Sequence, residues 1–118
     1  MIRRGAMISI YFDTIRIPVR IFQRSLKSPF IIGMDETLCH VHFKYARARR
    51  LPDVLANVSR KGSQVWVTTF METTVIDTNG SRSTLPPGRL CITMGDSIRI
   101  DLNAKHYVII RIDERPEL

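Results

Sequence analysis

MGDSIRIDL, residues 94–102, is the stretch on which the fold turns. Met94-Gly95-Asp96 is turn chemistry, since glycine accepts backbone angles that other residues avoid and aspartate bonds to nearby amides. From Ser97 to Leu102 apolar and polar residues then alternate without interruption: Ile98, Ile100 and Leu102 fall on one side, Ser97, Arg99 and Asp101 on the other. Successive side chains of a β-strand point to opposite faces, so this period of two predicts a strand with one buried face.

The same grammar extends in both directions. Met7–Phe12, Phe30–Ile32, Val65–Phe70, Thr73–Ile76 and Tyr107–Ile112 are rich in β-branched and aromatic residues, as, less cleanly, is Leu38–Phe43. Ile15, Ile17, Val19 and Ile21 alternate with Arg16, Pro18 and Arg20, which predicts another half-buried strand. Pro18 lacks an amide hydrogen, so that strand is expected at a sheet edge or with a bulge. The interruptions at Ser28-Pro29, Asn79-Gly80, Pro86-Pro87-Gly88 and Asn103-Ala104-Lys105 are turn signals. Only residues 44–56 have room for a short helix, and Pro52 limits it. Roughly ten or eleven short strands in one domain predict an all-β fold, a two-sheet β-sandwich rather than a small barrel. The domain is expected over residues 7–113, with tails at 1–6 and 114–118.

Bulk properties narrow the function. A chain of 118 residues buries roughly two thirds of its unfolded surface and needs no metal or disulfide staple. Cys39 and Cys91 are its only cysteines, too few for a disulfide framework and too far apart for a zinc knuckle, and read as reduced thiols. No apolar run reaches the length of about 20 residues that spans a membrane, and no secretory signal opens the chain, so an intracellular location is expected. Eighteen Lys and Arg against eleven Asp and Glu give a net charge of +7, which favours anionic partners: nucleic acid, or phosphorylated or acidic peptide. Lys44, Arg47, Arg49, Arg50, Arg60 and Lys61 form the densest basic stretch.

Catalytic patterns do not appear. There is no nucleophile elbow, no suggestively spaced carboxylate pair and no glycine-rich phosphate loop, so no enzyme and no cofactor are expected. His40 and His42 share a strand face but have no further metal ligand nearby in sequence, and read as solvated histidines. Trp66 serves either core packing or an outward stacking platform with Phe43 and Tyr45. The loop after Ile76 is richer than a tight turn requires: beyond Asn79-Gly80 it holds Thr78, Ser81, Arg82, Ser83 and Thr84, all able to grip a polar partner.

Three segments taken in order carry a resemblance. Phe30-Ile31-Ile32-Gly33-Met34 is followed by Val58-Ser59-Arg60-Lys61-Gly62, then by Asp77-Thr78-Asn79-Gly80-Ser81, and then by Gly95-Asp96-Ser97-Ile98. This order resembles the forkhead-associated (FHA) domain, in which an apolar strand ends in Gly-Arg, Ser-Arg-x-His precedes a strand, Ser-Thr-Asn-Gly-Thr lies in a loop, and Gly-Asp-x-Ile leads into a late strand. The likeness spans nearly the whole chain and implies an eleven-stranded sandwich that holds a phosphothreonine peptide in the loops at one end.

The departures bear on that function. The family's phosphate-gripping arginine falls at Met34, whose thioether cannot form the two-pronged charge-assisted contact of a guanidinium. The family's histidine falls at Gly62, and Asp77 brings a negative charge in place of a serine. Ser59, Thr78 and Asn79 match the family's binding positions, with Ser81 beside them. The expectation is a non-catalytic protein–protein interaction module with a degenerate phosphothreonine site, an assembly part of a larger complex. Two alternatives stand beside it: a working phosphopeptide reader in which Arg60 or Arg82 replaces the missing arginine, and a basic nucleic-acid-binding β domain.

Overall fold

A computed structural model describes residues 3–13, 18–27, 29–43 and 51–117. These residues form eleven strands and no helix. In chain order the strands are β1 (Arg3–Asp13), β2 (Pro18–Ser25), β3 (Phe30–Gly33), β4 (Val41–His42), β5 (Val54–Lys61), β6 (Gln64–Thr69), β7 (Thr73–Ile76), β8 (Arg82–Leu85), β9 (Gly88–Ile92), β10 (Ser97–Asp101) and β11 (Tyr107–Glu117). Six make one sheet, ordered β2-β1-β11-β10-β7-β8, and five make the other, ordered β4-β3-β5-β6-β9. The fold is the expected two-sheet β-sandwich.

Period-two alternation builds the core. Ile8 and Ile10 of β1, Ile98 and Ile100 of β10, and Ile110 and Ile112 of β11 face inward from the larger sheet, all fully buried. Phe30, Ile32, Ala56, Val58, Val65 and Val67 meet them from the smaller sheet, also fully buried. Each such side chain contributes about 1.5–3 kcal/mol by leaving water, so this interdigitated layer, and not any cross-link, holds the sheets together. The thiols of Cys39 and Cys91 are free.

Strand directions sort the connections into two ends. At the end called upper here lie the β3–β4 loop, the approach to β5 at Leu51–Asp53, the β6–β7 turn and the β10–β11 turn. At the lower end lie the β5–β6, β7–β8 and β9–β10 turns and the outer ends of β1 and β11. Contacts within each end agree with this sorting. Phe12, where β1 reaches the upper end, stacks on Phe43 at 6.0 Å and on His106 at 5.7 Å. At the lower end the Gly95 amide donates to the Ile112 carbonyl at 2.7 Å.

Several expectations require correction. The supposed tails are largely strand: β1 starts at Arg3, β11 reaches Glu117, and the two pair from Arg3↔Glu117 through Asp13↔Tyr107. Ala6, placed in a tail from sequence, is 4 % exposed. Residues 54–56, assigned to a possible helix, open β5 instead, and residues 44–50 lie outside the described residues. Of the expected strand 38–43 only Val41–His42 is strand, because Asp35 winds the preceding residues into turns. Residues 15–17 also lie outside the described residues, while β2 runs on to Ser25. β2 is an edge strand with a register shift between Ile10 and Tyr11 that leaves Ile21 as the extra residue, in keeping with Pro18. Val19 and Ile21, expected to be buried, are 57 % and 48 % exposed: Ile21 is the extra residue of the bulge, and Val19, though opposite Phe12, lies at the start of an edge strand.

Candidate functional site

The polar loop after Ile76 is explained by its own backbone. Asp77 Oδ1 accepts the amide hydrogens of Asn79 at 2.8 Å and Ser81 at 2.9 Å, and the Asp77 amide donates to the Ser81 carbonyl at 3.0 Å. The Gly80 amide donates to the Asp77 carbonyl at 3.0 Å, and Gly80 adopts φ 84°. The connection is thus a five-residue loop closed by an aspartate, with Ile76 pairing Arg82. It is not a two-residue turn, and Asn79 does not adopt a positive φ. Asp77 organises this loop from within. Thr78, Asn79 and Ser81 project into solvent above it, and Arg82, Ser83 and Thr84 belong to the exposed edge strand β8.

Thr78 has a further neighbour. A Cβ built on Gly95, where φ is 97°, lies 2.9 Å from Thr78 Cγ2, so the β7–β8 loop packs on the backbone of the β9–β10 turn. Two of the segments singled out in the sequence therefore touch at the lower end.

Ser59 and Arg60 sit in β5, not in a loop. Ser59 pairs with Trp66, and Trp66 with Cys91, in a row on the outer face of the smaller sheet. Arg60 pairs with Val65, a fully buried residue, so it lies on the opposite, core-side face at the rim. Its Nε donates to the Gly62 carbonyl at 2.7 Å, which ties the guanidinium to its own turn. Neighbours on opposite faces cannot close together on one anion. Lys61 is exposed at the end of β5, and Lys44, Arg47, Arg49 and Arg50 of the basic stretch lie outside the described residues.

Met34 stands at the other end of the molecule. Its amide donates to the Asp53 carbonyl at 2.8 Å at the upper end, and Ser59 lies six residues further along the strand. At about 3.3 Å per residue that is roughly 20 Å. A phosphoryl group is held by contacts of about 2.7–2.9 Å, so no single one spans Met34 and Ser59. The positions matched to the family's site are thus divided: Ser59, Thr78 and Asn79, with the neighbouring Ser81 and the candidate replacements Arg60 and Arg82, belong to the lower end, Met34 to the upper.

Charge at the upper end is mixed among the described residues: the β10–β11 turn holds Lys105, and acids lie in the other loops. Met34–His40, Leu51–Asp53 and the β6–β7 turn carry Asp35, Glu36, Asp53 and Glu72 and no Lys or Arg. Asp35 Oδ1 accepts the Thr37 hydroxyl at 2.6 Å, the Thr37 amide at 2.7 Å and the Leu38 amide at 3.1 Å. The Thr37 side-chain bond first, then the amides, hold this carboxyl below its ordinary value. Cys39 is buried beside it, and burial pushes its thiol up. The raised value makes it a poor nucleophile.

Three features escaped the sequence reading. His40 Nδ1 accepts the Ile31 amide hydrogen at 2.9 Å while its own amide donates to the Ile31 carbonyl at 2.8 Å, so it caps the edge of β3. An imidazole nitrogen that accepts from an amide is unprotonated, which makes His40 a structural acceptor. Trp66 faces outward under the Arg89 guanidinium, 4.5 Å from its ring, and does not serve the core. On the side of the sandwich, Phe30 takes the His40 ring at 4.8 Å and the Arg24 guanidinium at 4.6 Å. Alternation of Val65 and Val67 about Trp66 was the one signal that pointed outward. Among the described residues no three His, Cys, Asp or Glu gather in a way that could hold a metal ion, and no helix is long and apolar enough to cross a membrane.

Comparison with known proteins finds no matching family model, no matching curated protein and no matching solved structure.

Proposed function

We propose that this chain is a non-catalytic protein–protein interaction module, a diverged sandwich of the forkhead-associated type that serves as an assembly part of a larger complex. The observation that carries the reading is the separation of Met34 from Ser59 along β5: among the described residues, the positions matched to the family's phosphate site do not converge. Support for the type comes from the eleven strands in sheets of six and five, the architecture that the sequence resemblance implies. At the lower end Arg60, a candidate for the missing arginine, is engaged by its own turn. Binding then falls to the sheet faces and edges, where partners are met by shape and charge.

The test is a titration of matched phosphorylated and unphosphorylated threonine peptide pools at low and high salt. A charge-assisted phosphate contact is worth about 1.5–3 kcal/mol, or about 10–150-fold in affinity. The expected ratio between the two pools is near unity at both salt concentrations. A phosphate preference of about tenfold or more that disappears in Ser59→Ala/Asn79→Ala, or in Arg60→Ala/Arg82→Ala, would overturn the reading.

A further inference from the structure

Among the described residues the edge strand β2 combines three properties. Among the described residues it pairs with β1 alone, so its far side has no ladder partner there. It exposes two large apolar side chains, Val19 and Ile21. From Pro18 through Lys27 it carries Arg20, Arg24 and Lys27, all exposed, and no acid. By contrast β8 is polar, its one apolar residue, Leu85, being half-buried, and β9 pairs the exposed Arg89 with Trp66.

We propose that the free side of β2 docks an acidic, extended segment of another protein, which joins the six-stranded sheet as a seventh strand. The inference rests on the reading of the chain as a protein-binding module and names its partner class. Backbone pairing supplies the affinity of such strand addition, and alternate side chains supply its selectivity. Register defines the selectivity here. Arg24 pairs with the buried Ile8 and Val19 with the buried Phe12, so both lie on the core-side face of β2; Arg20 pairs with Tyr11 on the other face. An added strand therefore meets Val19 and the half-buried Phe22 with apolar residues, and Arg24 and Arg20 with carboxylates. The regular run is Phe22–Ser25, beyond the bulge at Ile21.

Charge selects a different protein over a second copy. Two β2 edges laid together bring Arg20, Arg24 and Lys27 of one copy against the same residues of the other, and the whole chain carries +7. Like charges set opposite one another oppose pairing. An acidic strand meets no such repulsion.

A synthetic peptide in which valine pairs alternate with glutamate pairs, so that each face of the strand carries both residue types, is the probe, with lysine-for-glutamate and proline-interrupted versions as controls. Titration of the full chain, followed by fluorescence anisotropy and by backbone amide signals in NMR, should show binding of the glutamate peptide alone. The amides of Phe22–Ser25 should shift and gain protection from hydrogen exchange. Affinity should fall steeply with salt and drop about tenfold or more in Arg20→Glu, and further in Arg20→Glu/Arg24→Glu, whose melting curve is measured alongside because Arg24 also lies over the Phe30 ring. Ile21→Lys should weaken binding without altering the melting curve. Absence of binding overturns the proposal, as does binding that survives proline interruption or charge reversal, or that leaves the β2 amides unmoved. Concentration-dependent shifts of those amides without peptide also overturn it, since they place a second copy on the edge. None of these outcomes bears on the phosphopeptide ratio, so the two readings fail separately.

Discussion

At the scale of single residues, Gly33 is the position where the upper end has least room. A Cβ there meets the Asp53 carbonyl, lies 2.8 Å from Val54 Cα and 2.9 Å from Cys39 Sγ. Two of these three are backbone and cannot rotate away. Gly33→Ala is therefore expected to destabilise the fold at the upper end of the range of about 1–3 kcal/mol seen for overpacking. Urea denaturation of the two proteins measures it, and an unchanged midpoint would show that β5 yields. Asp35 gives a prediction with a sign. Its folded value lies below its ordinary one, so its stabilising contribution is complete above the unfolded carboxylate value of about 3.9 and is lost as pH falls through the folded value. NMR titration of the Asp35 carboxyl should follow the amide shifts of Thr37 and Leu38 at the same low midpoint. A midpoint at or above the unfolded value would contradict the three hydrogen bonds.

At the scale of elements, the β7–β8 loop is a test of who holds whom. Asp77→Ala removes the acceptor of two amides and is expected to cost about 1 kcal/mol and to speed hydrogen exchange at Asn79 and Ser81. Asn79→Ala, whose side chain is exposed, should be nearly silent in the same experiment. Strands with clean alternation were legible from sequence: Ser97–Leu102, Val65–Thr69 and Tyr107–Ile112 bury one face as written. β5 was not, because the bulge at Ile32/Gly33 sets Leu55 and Ala56, both buried, side by side and breaks the period. β8 was not, because an exposed edge strand has no apolar face to reveal it. Motif order placed Ser59 near a phosphate site, yet order along a chain does not say at which end of a strand a residue sits. Only pairing does, and pairing put Ser59 and Met34 at opposite ends.

At the scale of the molecule, the ladder of β1 with β11 runs unbroken over eleven residue pairs. A chain cut to residues 7–113 loses the pairs from Arg3↔Glu117 to Ala6↔Glu114 and the bond from the Leu26 amide to the Ala6 carbonyl. Its melting temperature should drop by several degrees, given that 1 kcal/mol corresponds to about 4 °C for a domain of this size. Equal melting of the long and short chains would mean that the ladder's outer pairs add nothing. The same ladder joins the first strand to the eleventh, and so dictates the order of events at the ribosome. β1 can pair early only with β2, and the backbone groups of its other edge, from Arg3 to Asp13, wait for a ladder partner until β11 has been made and slides in beside it. Such distant closure makes folding slow, and leaves the nascent half-sheet the form of this protein most exposed to aggregation and most in need of a chaperone.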